Sequence, residues 1–435
     1  MGKYRSWGYS PAQDQAAVRP GWRDFSLESI EGSLLPYGNG RSYGDSCLNS
    51  AGRVIDCRQL NRFIAFDREQ GILRCEAGVS FEAILEVIVP AGWFLPVTPG
   101  TKFVTVGGAI ANDIHGKNHH RDGTIGRHVR NFELLRSDGQ KLLCSPESNP
   151  EFFSATIGGL GLTGCISWAE MQLIPISSST VDVETSVFHG LDEFYELSAA
   201  AHEDYQYTIA WLDCVAEGDR FARGIFMKAN HSAGGGIHPA KKSSLPLSVP
   251  INFPKWALNK YSVKAFNTCY FYSQKRHAGT NTRQQFDPFF YPLDGIENWN
   301  RIYGKDGFFQ YQFIVPGSEK LVMDELLRQI VSSGLGSFLA VLKEFGAKKS
   351  PGMLSFPRPG ICLALDLANR GTRTLRVLDE LDQLVMKAGG IVYPAKDNRM
   401  SGGAFRAYYP QYEAFSRYID PRFSSDFWKR VTNGT

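Results

Sequence analysis

Thr98-Pro99-Gly100-Thr101-Lys102-Phe103-Val104-Thr105-Val106-Gly107-Gly108-Ala109-Ile110-Ala111-Asn112-Asp113-Ile114-His115-Gly116-Lys117-Asn118 is the stretch on which the reading of this chain turns. Its glycines permit backbone dihedrals closed to other residues and let successive N–H groups converge on one point. A pyrophosphate, with its two negative charges, needs such a concave row of donors. A shorter loop of the same character comes earlier, Pro36-Tyr37-Gly38-Asn39-Gly40-Arg41-Ser42-Tyr43-Gly44-Asp45. A third follows, Gly158-Gly159-Leu160-Gly161-Leu162-Thr163-Gly164. One Gly-x-Gly marks an ordinary turn, whereas these loops in this order read as the cradle of a dinucleotide.

The loops resemble those of the vanillyl-alcohol-oxidase type of FAD-binding superfamily. Gly40-Arg41-Ser42-Tyr43-Gly44-Asp45, Thr105-Val106-Gly107-Gly108-Ala109-Ile110 and Asp113-Ile114-His115-Gly116-Lys117-Asn118-His119-His120 are similar, more narrowly, to the decaprenylphosphoryl-β-D-ribose 2′-oxidase family. So are Trp299-Asn300-Arg301, Phe309-Gln310-Tyr311-Gln312-Phe313 and Tyr393-Pro394-Ala395-Lys396-Asp397, which extends the likeness over nearly the whole chain. The resemblance implies an α+β fold. Its parts would be a discontinuous FAD-binding domain over 1–178 and 391–435, and a substrate-binding domain over 179–390 whose antiparallel sheet roofs the flavin. It implies oxidation of the 2′-hydroxyl of a polyprenyl-phosphoryl pentose to the 2′-keto sugar. That is the first half of an epimerisation to the arabinose form, used in arabinan and cell wall biosynthesis. An NADH-dependent keto-reductase would be the second epimerase subunit. A soluble alditol or aldonolactone oxidase of the same superfamily is the alternative.

The cofactor-binding residues implied are Tyr37, Gly38, Asn39, Gly40, Arg41, Ser42, Tyr43, Pro99, Gly100 and Thr101. The set continues with Val106, Gly107, Gly108, Ala109, Asn112, His115, Gly116, Asn118, Gly164, Ile166 and Tyr393. Some relatives carry a flavin-bonding histidine where this chain has Arg41. Arginine cannot form that bond, so FAD is expected to be non-covalent, unless another side chain such as His115 makes the link. A metal site on His115 and His119 would need a helix, which Gly116 disfavours, and no metal is expected.

Lys396 follows the strand Ile391-Val392-Tyr393 directly, and a lysine there can reach into a cleft where burial lowers its pKa. The resemblance makes it catalytic, with His115 and Lys117. Gln310 and Gln312 lie two apart on one strand face, as partners for a sugar. Lys343, Tyr43, Trp211 and Cys362 complete the expected substrate-binding set. The family has a cysteine, attacked by covalent inhibitors, where Pro359-Gly360-Ile361-Cys362-Leu363-Ala364 places Ala364. Inhibitor chemistry should differ while sugar chemistry should not.

With 43% hydrophobic and 21% charged residues, the 435-residue chain can bury a sizeable core, and a formal charge of +3 gives no nucleic-acid binder. The N-terminus shows no signal-like apolar run, which points to reduced cysteines and a cytoplasmic placement peripheral to the inner membrane; a periplasmic one stays open. Between Asp219 and Asp287 there are eleven Lys and Arg and no acid. Pro246, Pro250, Phe253, Pro254 and Trp256 add apolar, interfacial character there. About 232–254 reads as a mobile flap, and the whole segment from Arg220 to Phe286 as the part that engages an anionic, membrane-embedded substrate. From Phe308 on, the pattern predicts strand-helix-strand-strand-helix-strand, a ferredoxin-like layer with one open sheet face. Ser318 is expected to cap the first of its helices, with Val322, Leu326 and Ile330 inward. Leu375, Leu378, Leu381 and Val385 form the second apolar stripe.

Overall fold

The computed structural model describes residues 2–8, 13–238 and 247–433. Short alternating segments build two small sheets in the N-terminal part. One orders Gly2–Tyr4, Gln13–Val18, Arg53–Asp56 and Leu34–Tyr37; the other orders Phe63–Asp67, Ile72–Glu76, Cys165–Gln172, Val129–Leu135 and Lys141–Cys144. The helix Phe81–Ile88 shares a core with the second of these sheets; it begins where the Ser80 hydroxyl accepts from the Ala83 N–H at 3.2 Å, and it ends before Pro90. Phe81, Ile84, Leu85 and Ile88 are its buried face.

An eight-stranded antiparallel sheet dominates the rest. Its order is Asn281–Gln285, Thr180–His189, Arg223–His231, Tyr207–Leu212, Ala340–Phe345, Gly360–Ala368, Phe308–Val315 and Ile391–Val392. The last four strands and the helices Lys320–Ser333 and Thr372–Lys387 form the expected ferredoxin-like unit. Met323, Leu326, Leu327 and Ile330 of one helix and Leu378, Leu381 and Val385 of the other bury into one core with the sheet. Two details differ. The first helix starts after Glu319 with no side-chain cap, so Ser318 caps nothing, and Val322 is only half-buried behind Met323. Leu375 stands in the first turn of its helix and is exposed.

After Ile391–Val392 the chain turns through Pro394–Lys396 and returns to the N-terminal part. Ser424 N–H donates to Leu34 O at 3.0 Å, Asp426 accepts from Ser50 Oγ at 2.8 Å, and Arg430 bonds Asp45 at 2.8 Å and Asp397 at 3.0 Å. A Cβ on Gly44 would lie 1.6 Å from the carbonyl oxygen of Asp397, so the two distant segments cross in backbone contact.

The expected flap falls partly on 239–246, which lies outside the described residues. Its remainder holds the two-residue strand Leu247–Ser248, paired with Ile296–Glu297. Beyond it, Asn259 and Ser262 form a capping box that starts the helix Lys260–Lys275, an element the sequence reading did not anticipate.

Candidate active site

The glycine loops and the open face of the large sheet enclose a cavity of about 1240 Å³. That volume exceeds the usual small-ligand pocket and leaves room for a dinucleotide and a second ligand. The first two loops interlock. Asn39 Nδ2 donates to Phe103 O at 2.9 Å, and a Cβ on Gly38 would stand 2.3 Å from Thr105 Oγ1. Gly40 has φ +59°, and a Cβ there would meet the Tyr37 hydroxyl at 2.1 Å. The backbone N–H groups of Asn39, Gly40, Arg41, Ser42, Gly100 and Thr101 donate to no group among the described residues. All six line the cavity, and a row of free N–H groups along one wall fits the phosphates of a dinucleotide. Arg41 lies in the same wall, its guanidinium 4.1 Å from the Trp7 ring and 5.1 Å from the Phe103 ring.

Tyr37 to Tyr43, Pro99, Gly100, Thr101, Gly107, Gly108, Asn112, Gly116, Gly164, Ile166 and Tyr393 all line the cavity. Tyr393 is fixed by its hydroxyl, which donates to Asn112 O at 2.7 Å, and by stacking on Phe356. Val106, Ala109 and Asn118 do not reach the cavity. Val106 and Ala109 point into the apolar core, and Asn118 is buried with its amide on Pro96 O and Asp122.

At the other end stand Lys117, Lys343 and Lys396, with His115, Gln310 and Gln312. Lys396 Nζ lies 3.8 Å from the centre of the Tyr43 ring. Its ammonium touches the cavity, but the surrounding protein withholds bulk water. Burial pushes its pKa down to about 7; Lys343 pushes the same way and Asp366 opposes. Lys117 donates to Phe290 O at 3.0 Å and is also pushed down to about 7, by burial first and by Lys343 second. Lys343 reaches Gly116 O at 3.5 Å, and burial lowers its pKa too. None of the three forms an ion pair with a described residue.

Burial, then the charges of Lys343, His119 and Lys396, hold His115 far below the usual histidine range, so its ring is neutral. Gln312 Nε2 donates to His115 Nε2 at 2.7 Å, which leaves the ring proton on Nδ1. That Nδ1 has no protein partner among the described residues. His119 stacks on Phe345 at 4.3 Å, and His120 Nε2 lies 2.9 Å from Tyr205 O. They belong to the packing beneath the site.

Two expected substrate residues are elsewhere. Trp211 is buried against Tyr270 and Phe271, its indole N–H donating to Phe338 O at 3.0 Å. Cys362 lies behind Gln312, whose amide approaches its sulfur at 3.3 Å, while Ala364 takes the wall position. Burial raises the Cys362 thiol to about 11. Nitroaromatic inhibitors that bond to the family cysteine should therefore leave no adduct on Cys362. Intact-mass measurement after turnover is the check, and a mass increase mapped to Cys362 contradicts this reading.

One residue escaped the sequence reading. Asp366 is 1% exposed, accepts from Gln310 Nε2 at 2.7 Å and from the Tyr303 hydroxyl at 3.4 Å, and has its pKa raised to about 7 by burial. The signal was present: it is the single acid in the apolar run Ile361-Cys362-Leu363-Ala364-Leu365-Asp366-Leu367, on the face of Ala364.

Residues 15–145 match the family profile of an FAD-binding domain. The chain is 35% identical over 416 residues to the decaprenylphosphoryl-β-D-ribose oxidase of Mycolicibacterium smegmatis, covering 92% of this chain and 89% of that one. A Streptomyces coelicolor protein of uncharacterised role is 32% identical over 374 residues, 81% of this chain and 100% of the relative. The D-arabinono-1,4-lactone oxidase of Yarrowia lipolytica is more distant, 24% identical over 52% of this chain and 39% of its own. With a dinucleotide cradle at one end of the cavity and full-length likeness to the first relative, the chain belongs to the decaprenylphosphoryl-β-D-ribose oxidase family of FAD-binding oxidoreductases.

Proposed function

We propose that the protein oxidises the 2′-hydroxyl of a polyprenyl-phosphoryl pentose to the 2′-keto sugar. The observation that carries this is the group Lys117, Lys343 and Lys396, three enclosed lysines without an ion pair among the described residues, beside two glutamines. Enclosed charge without a partner is costly. A ligand bringing a phosphate and several hydroxyls removes that cost, and a neutral free sugar does not. FAD, when bound, supplies the hydride acceptor. Lys396 takes the proton of the reacting hydroxyl, Gln310 and Gln312 hold the sugar, and His115 offers its Nδ1 proton to an oxygen. Lys117 and Lys343 face the phosphate. Anaerobic bleaching of the flavin by polyprenyl-phosphoryl ribose, with no bleaching by ribose, alditols or aldonolactones, is the expected result. Equal bleaching by a free sugar would replace this reading with the soluble-sugar alternative.

The cofactor is held without a covalent bond, since Arg41 stands in the first loop. Acid precipitation should release all yellow colour to the supernatant; colour retained in the pellet would assign a link to His115.

The product, a 2′-keto sugar, calls for an NADH-dependent keto-reductase as the second epimerase subunit. The lipid tail calls for peripheral contact with a membrane, on its cytoplasmic side. Among the described residues no helix is long and apolar enough to cross one. Leu247, Ile251, Trp256, Tyr261, Phe266 and Tyr272 are all exposed along one stretch. Phe253 N–H donates to Arg301 O at 2.9 Å, and Arg301 to Val249 O at 3.0 Å, which joins this stretch to the cavity lip at 293–299. The charge argument is narrower than the sequence implied. Arg223, Lys228, Lys255, Lys264 and Arg283 pair with Asp213, Glu184, Asp306, Glu217 and Asp182. Lys260, Lys275 and Arg276 have no carboxylate partner among the described residues, each worth about 1 kcal/mol near an anionic surface. Flotation should show salt-sensitive binding to anionic vesicles, and equal binding to neutral ones removes the electrostatic part.

A further inference from the structure

The three side chains of Trp299-Asn300-Arg301 serve three neighbours. Trp299 lines the cavity, as do Leu293 and Ile296. Asn300 Nδ2 donates to Trp7 O at 3.2 Å. Arg301 is not in the wall: its Nη1 donates to Val249 O at 3.0 Å and to Pro250 O at 2.9 Å. It pairs with no carboxylate among the described residues, so these carbonyls take its charge. The stretch it holds is poorly equipped to order itself. Pro250 and Pro254 have no N–H to give, and the strand Leu247–Ser248 is only two residues long. Order comes instead from 296–304. Val249 N–H donates to Glu297 O and Phe253 N–H to Arg301 O, both at 2.9 Å. Gly304 has φ +75°, and a Cβ there would lie 2.8 Å from Phe253 O. Along this stretch Leu247, Ile251, Phe253 and Trp256 are exposed.

We propose that Arg301 is a positioning residue for the lipid tail of the substrate, and that it sets the preference of the site for a long chain. Sugar and phosphate occupy the lysine end of the cavity. The first isoprene units leave past Leu293, Ile296 and Trp299, and later ones lie along Leu247, Ile251, Phe253 and Trp256. Hydrogen bonds from a guanidinium are stronger than neutral ones, so one side chain can hold two carbonyls of a stretch that has few bonds of its own. Holding the stretch in place beforehand removes the ordering cost that tail binding would otherwise carry. Arg301 touches neither the sugar nor the glycine loops, so the chemical step is independent of it.

This rests on the lipid-linked substrate proposed above, so one arm of the test uses no sugar. In holoenzyme, in one detergent throughout, decaprenyl phosphate and geranyl phosphate are titrated by the change they make in flavin absorbance. The parent should bind the decaprenyl compound more tightly. Arg301→Met should weaken that binding by about tenfold, the size of losing charge-assisted hydrogen bonds, and leave geranyl phosphate unchanged. In turnover the same variant should raise KM for decaprenyl-phosphoryl ribose by a like factor, with kcat and the geranyl substrate at parent values. A parent whose flavin bleaches with neither lipid-linked ribose removes the proposed reaction, and the sugar-free arm still decides the role of Arg301. Equal losses for the long and the short chain, or no loss for either, overturn that role. In the unaltered protein, decaprenyl phosphate and not geranyl phosphate should slow amide exchange at Val249 and Phe253, whose N–H groups meet Glu297 O and Arg301 O. That arm decides the matter if Arg301→Met fails to fold, and exchange unchanged by the long chain overturns the proposal.

Discussion

Lys396→Ala is expected to keep its FAD and to lose flavin reduction by about 10²–10⁴, the range for removing a positioned acid or base. The side chain can go without disturbing the turn that carries it. Lys396 N–H donates to Tyr393 O at 3.0 Å, and Ala395 O accepts from Tyr43 N–H at 2.8 Å, so backbone bonds tie the turn to the first glycine loop. In the parent, burial lowers the Lys396 pKa to about 7. The neutral amine is the form that accepts a proton, and it gains population as pH rises. Flavin reduction should climb through about pH 7 in the parent, and the alanine variant should lose that limb as well as the rate. Stopped-flow reduction across a pH series reads both. A variant that reduces its flavin at the parent rate removes Lys396 from the chemistry.

Asp213→Ala should be among the most destabilising single changes, costing about 3–5 kcal/mol. Arg223 and Asp213 are 3% and 2% exposed and meet through two bonds, Nε at 3.0 Å and a terminal nitrogen at 2.8 Å. Asp213 also accepts from Asn267 Nδ2 at 3.0 Å, which pins the helix Lys260–Lys275 to the sheet. Removing the carboxylate strands a guanidinium under the Phe271 ring with no water to receive it. Urea unfolding with excess FAD measures the loss. Adding Arg223→Met to Asp213→Ala should return a large part of it, since the uncompensated charge is then gone. A loss under about 1 kcal/mol for Asp213→Ala would show that water reaches the pair.

The cradle was legible because glycine leaves a direct signature: the interlocking of Gly38 with Thr105 needs residues without a Cβ, and the sequence displays them. Lys343 and the two glutamines were legible from their places in strands, and Lys396 because it stands in the turn just after the last strand. Trp211 was misplaced because a tryptophan in a strand reads alike whether its indole meets a ligand or, as here, the Phe338 carbonyl. Cys362 and Ala364 share a face, and only the depth of Gln312 separates them. The charge of the acid-free segment was overread for a different reason. Its partners Asp182, Glu184 and Asp213 precede it in sequence and come opposite it through sheet register and packing, which composition cannot reveal. The capping box at Asn259 was visible in principle, but neighbouring prolines and glycines masked it.

The crossing of Gly44 with Asp397 bears on how the protein is made. The first glycine loop leaves the ribosome early, yet its backing is supplied by Tyr393 to Asp397 and by the helix Asp426–Asn433, whose Arg430 clasps Asp45. A nascent chain still short of that helix holds the early loop without the wall behind it. Cofactor capture then belongs to the finished polypeptide, and a chain stalled or clipped before Asp426 should emerge colourless however well its earlier sheets have formed.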